Sequence, residues 1–155
     1  MDIEKIKEII RRKPMLFLLI SLGYLILTGF LKWTIHPTIS TAIYVAGGLV
    51  GVYFLDIAEV FFRLNPSPFR SVVFAAAFAL VSLFIVTSSG SVLASGLVLS
   101  VYLTLILWQI GEWGIQGSVG SWYKMVEGPV AIQTQKLLLV GFIVVFLLNT
   151  FLFIR

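Results

Sequence analysis

The chain has 155 residues, of which 59% are hydrophobic and only 12% charged, with a formal net charge of +4. Half the usual charged share cannot cover a globule in water, and so much apolar surface excludes a disordered chain. The absence of cysteine excludes disulfides, thiolate metal sites and cysteine nucleophiles, and one histidine excludes any multi-histidine site.

The composition predicts a membrane protein, all-α, a polytopic transmembrane helix bundle forming a single membrane domain over 1–155. A bilayer core about 30 Å thick needs roughly 20 apolar residues per helix. Helices are expected because lipid leaves each backbone amide needing a partner within its own segment. No run shows the alternating polarity of a transmembrane barrel.

Residues 1–13 open with Ile3, Ile6 and Ile10 at helical spacing, with charges between them. This pattern predicts a short amphipathic helix on the cytoplasmic leaflet, its basic end meeting anionic lipid. The first span is expected at about 14–31. It reads as an uncleaved anchor, since no small-x-small site follows before Lys32 and Trp33. A short outer loop carries His36-Pro37, an interfacial pair with His36 held extended.

The second span is expected at 39–62, interrupted near its end by Asp56 and Glu59. The loop Leu64–Arg70 holds Pro66 and Pro68 and reads as a stiff turn. Spans three and four are expected at 71–88 and 92–111. The short Ser88–Ser91 link makes them antiparallel neighbours.

Residues 112–136 are too polar to span and are expected to form an interfacial loop on the cytoplasmic side. Gly111, Gly114, Gly117 and Gly120 recur there every third residue, and Trp108, Trp113, Trp122 and Tyr123 suit the headgroup belt. The fifth span is expected at 137–154.

Orientation follows from the basic residues in the short loops. One side would carry Lys5, Lys7, Arg11, Arg12, Lys13, Arg63, Arg70, Lys124 and Lys136, nine in all. The other would carry only Lys32 and Arg155. This bias predicts a cytoplasmic N-terminus and an external C-terminus, in a prokaryotic cytoplasmic membrane. The basic balance is then a topology signal, and no nucleic-acid partner is expected.

Small residues let helices approach in lipid. Gly47 and Gly51 on span two, Ala75 and Ala79 on span three, and Gly96 and Ser100 on span four form three such stripes. Spans two, three and four are therefore expected to form the packed centre, with spans one and five facing lipid. Asn149 should mark the inward side of span five.

Acids within a membrane are costly and point to function. Asp56 and Glu59 share one helix face, and Gln109 and Glu112 end span four at the same depth. Together they would line an oxygen-rich pocket suited to a proton or a hard cation. The plainer alternative pairs Glu59 with Arg63 on one helix, and Glu112 with Lys124 or Lys136.

No catalytic residues, cofactor or enzyme activity are expected. The lone histidine lies at the outer end, no G-x-S-x-G elbow occurs, and Asp56 has only Asp2 as a fellow aspartate. The residues favour a structural or accessory subunit of a membrane assembly or homo-oligomer. The alternative is a cation- or proton-coupled transporter or channel.

Overall fold

The computed structural model describes residues 3–155 and is all-helical over them, with no strand among the described residues; Met1 and Asp2 lie outside them. Six helices follow in order: α1 (Ile3–Arg12), α2 (Met15–Ile35), α3 (Ser40–Phe61), α4 (Val72–Ser88), α5 (Val92–Gln116) and α6 (Ile132–Ile154). A 3-10 turn, Gly120–Tyr123, interrupts the segment between α5 and α6. By length and composition, α2, α3, α5 and α6 are able to cross a bilayer, whereas α4 has 17 residues.

The helix ends have local causes. Pro14 caps α2 with the extended backbone a proline imposes. The side chains of Ser71 and Ser91 accept from the Phe74 and Ala94 amides and so cap α4 and α5. At the end of α3, Arg63 takes φ 51° and the Leu64 amide reaches back to the Glu59 carbonyl. That is the left-handed helix stop which turns the chain out of the helix.

α5 is longer than its sequence pattern suggests. It continues through Gly111 and Gly114 and stops only at Gly117, whose φ of +69° closes it. Glu112 therefore sits on a helix, not in a loop. α6 likewise begins at Ile132, so the non-helical stretch shortens to 117–131.

The packed centre is α5 against α3. A methyl group on Gly47 would fall on the Leu93 carbonyl, one on Gly51 on the Leu97 carbonyl, and one on Gly96 on the Tyr44 carbonyl. Ser100 faces Gly51 across the same seam. These glycines bring two backbones into direct contact, the geometry that holds helices together where lipid competes for apolar surface. The glycine stripe of α3 is thus covered within the chain.

α4 corrects the expected layout. Only Ala75 and Ser82 are buried along it, while Leu80, Val81 and Phe84 are exposed, so the third apolar run lies at the edge of the bundle. Ala75 packs in a cluster with Leu55, Leu105 and Trp108, and Ala79 lies against a second cluster around Tyr102. The small residues of α4 seat it on α5 and α6 without making it central.

Buried polar groups tie the outer helices in. The Thr28 hydroxyl is 2.7 Å from the Tyr44 hydroxyl, and Tyr24 is 2.8 Å from Thr150. Tyr102 donates to the Phe142 carbonyl at 2.8 Å. The Asn149 amide donates to Ser82 Oγ at 3.0 Å, which turns that face of α6 inward toward α4. Tyr102 also stacks on Phe142 with centroids 4.3 Å apart.

In α1 the buried apolar residue is Ile9; Ile3, Ile6 and Ile10 remain exposed. The helix meets α3 through Ile9 and through the Arg12–Glu59 ion pair.

Candidate functional site

Asp56 and Glu59 lie on the last turns of α3, three residues apart and hence on one face. Both are almost wholly buried. A carboxylate in such surroundings needs a cation beside it, and α1, the α1–α2 link and the α3–α4 loop supply one each.

Lys13, between α1 and α2, places Nζ 3.1 Å from Asp56 Oδ2. The same ammonium donates to the Val52 carbonyl and lies 5.3 Å from the centre of the Tyr53 ring. Its side chain is 1% exposed, so the pair is sealed from water. Burial pushes the Lys13 ammonium below the usual lysine range, and the Asp56 carboxylate opposes that shift.

Glu59 receives two arginines from opposite sides. Arg12 Nη1 donates to Oε2 at 3.1 Å, and Arg70 Nε stands 3.5 Å from Oε1. Arg12 also holds Glu8 at 2.8 Å, and the Arg70 guanidinium lies 4.1 Å from the centre of the Trp108 ring. The Asp56 Oδ2 and Glu59 Oε1 contacts are ion pairs by distance without hydrogen-bond alignment. Glu8, Asp56 and Glu59 thus face Arg12, Lys13 and Arg70, three charges against three.

The partners differ from those the helix spacing suggests. Arg63 does not pair with Glu59, because its left-handed backbone carries it off the α3 face. Lys13, Arg12 and Arg70 take its place. Lys13 and Arg12 sit in a basic run that reads as a topology signal, and only a long-range contact gives them this second role.

Glu112 belongs to a different group of contacts. Trp122 Nε1 donates to its Oε2 at 3.1 Å, and the Ser121 hydroxyl donates to Oε1. This fastens the 3-10 turn to the end of α5. Gln135 does the same from α6: its Oε1 accepts from the Val119 amide and its Nε2 donates to the Val130 carbonyl, both at 3.0 Å. Gln109 faces neither group and lines a cleft between α4 and α6. The structure therefore brings Asp56 and Glu59 together and gives Gln109 and Glu112 other surroundings. Among the described residues no three His, Asp or Glu side chains stand close enough to hold a metal ion.

Substituting Glu112 by Leu should cost about 1–3 kcal/mol, because it leaves the buried indole N–H of Trp122 without an acceptor. Unfolding followed by tryptophan emission tests this; an unchanged midpoint would show that the turn holds without Glu112.

Comparison with known protein families, with curated proteins and with solved structures gives no match to this chain.

Proposed function

We propose that the chain is a five-span integral protein of a prokaryotic cytoplasmic membrane, serving as a structural or accessory subunit of a membrane assembly or homo-oligomer. In this reading α2 to α6 all cross. The 17 residues of α4 reach about 26 Å, enough for a slightly thinned bilayer, and its exposed Leu80 and Phe84 suit lipid. The nine-to-two distribution of Lys and Arg puts the N-terminus in the cytoplasm and the C-terminus outside. α1 then lies at the inner headgroups, its exposed isoleucines toward the acyl chains.

The observation that supports a structural role is the neutralised network on α3. Each of its two acids is matched by a cation from another element, so neither carboxylate is left free to take up an ion. Such a network fastens α1 and the α3–α4 loop to the bundle. Because α5 covers the glycine stripe of α3, assembly would use the exposed faces of α2 and α6 instead.

Two measurements on the full chain test this reading. The mass of the intact complex, purified in a mild detergent, should exceed that of one chain. Liposomes carrying the protein should pass protons and alkali cations no faster than empty ones. A monomeric particle whose ion flux disappears in Asp56→Asn, Glu59→Gln or Glu112→Gln would replace this reading with a transporter or channel.

A further inference from the structure

At the end of the bundle that carries the 117–131 segment, α4 and α6 part around a cleft of about 290 Å³. Ala76 on α4 and Leu138, Gly141 and Phe142 on α6 form its apolar walls, and Gln109 of α5 and Tyr123 of the 3-10 turn reach into it. Gly141 borders open space, since a Cβ there would meet nothing within 4 Å. Leu137 and Leu138 at its margin are exposed, so the cleft opens sideways from the bundle.

The two polar groups are out of keeping with those walls. Gln109 is 7% exposed and Tyr123 8%. Among the described residues, neither the Gln109 amide nor the Tyr123 hydroxyl has a hydrogen-bond partner. Comparable groups nearby do: Gln135 is bonded at both ends of its amide, and the Tyr102 hydroxyl is bonded to Phe142. Neither group is among the buried polar atoms that lack a partner, so the polar ends of both are accessible from the cleft. A ligand seated there pairs groups that the protein itself leaves open.

The chemistry of the lining restricts the ligand. An amide N–H and a phenol O–H are both donors, and a carbonyl oxygen has two lone pairs to receive them. Burial pushes the Tyr123 phenol above its ordinary range, which keeps its proton in place for donation. No charged side chain lines the cleft, so the head it receives is neutral. The apolar walls take a hydrocarbon chain.

We propose that this cleft binds an amphiphile with a neutral carbonyl-bearing head, hydrogen-bonded by Gln109 and Tyr123, and an apolar tail lying between α4 and α6. Two sources share that chemistry, a quinone ring and the ester group of a glycerolipid. The proposal does not depend on the accessory-subunit role; it requires only that α4 and α6 face lipid.

Native mass spectra of the full chain, titrated with decylubiquinone, with dioleoylglycerol and with its diether analogue, test it. One saturable adduct per chain is expected, with the quinone or with the ester lipid in preference to the diether, and the preferred compound identifies the source. Occupancy should fall at least about tenfold in the Gln109→Leu/Tyr123→Phe double variant. It should fall as far in Gly141→Leu, which fills the cleft and leaves both polar groups untouched. If the double variant does not fold, Gly141→Leu decides alone. Absence of any saturable adduct, equal binding of ester and diether lipids without quinone binding, or undiminished binding in Gly141→Leu would overturn the proposal.

Discussion

Asp56→Asn should lower the unfolding stability of the chain by about 3 kcal/mol, measured by titration with SDS in mixed micelles. The cause is not the loss of a favourable pair, since desolvation offsets much of what a buried ion pair gains. It is the ammonium of Lys13 left behind, in a side chain that is 1% exposed and 3.1 Å from the carboxylate being removed. The Val52 carbonyl is its remaining oxygen partner. Removing both charges separates these two effects. Lys13→Met combined with Asp56→Leu should recover most of the loss, because no charge is stranded. If the double variant is as unstable as Asp56→Asn alone, the pair contributes more than it costs, and the network is a true source of stability. Glu59→Gln should cost less, since Arg12 and Arg70 are both partly exposed and are able to turn to water.

Gly96→Ala should destabilise the bundle by about 2 kcal/mol even after the roughly 1 kcal/mol that alanine gains over glycine in a helix. The added methyl falls on the Tyr44 carbonyl and close to the Gly48 amide, and both are backbone atoms that no rotamer change moves aside. α3 and α5 must separate along the whole seam through Gly47 and Gly51. Gly141→Ala is the matched control. Its methyl meets open space, so only the propensity gain remains and the variant should be as stable as the parent or up to about 1 kcal/mol more so. Equal effects in the two variants would mean that the α3–α5 seam is looser than its geometry requires.

The glycine seam was legible in the sequence because spacing alone puts small residues on one helix face. Gly47, Gly51, Gly96 and Ser100 need no partner to be recognised as a contact surface. The acids on α3 were legible for a similar reason: a charge within an apolar run stands out whatever surrounds it. Their partners were not. Arg12 lies 47 residues before Glu59, whereas spacing along the chain favours Arg63, four residues on. Local spacing could not foresee that Arg63 would take a left-handed backbone and leave the helix face. Gln109 shares the depth of the acids on its helix but not their surroundings. Depth is one coordinate, and the direction in which a side chain points is another.

Composition and apolar run length by themselves determined that the chain is helical and suited to a membrane, and where the apolar parts of its long helices fall, but not that α5 runs on to Gln116 or that α6 starts at Ile132. Backbone hydrogen bonds must close within each segment in lipid, so those runs have one outcome whatever packs beside them. Tertiary structure alone decided which of the three expected central helices is in fact peripheral. α5 is buried along most of its length and α4 stands at the edge, although both carry stripes of small residues on apolar runs. Lipid tails are as apolar as leucine, so a face turned to lipid and a face turned to another helix carry the same residues. Only the close contacts of backbone and side chain separate them.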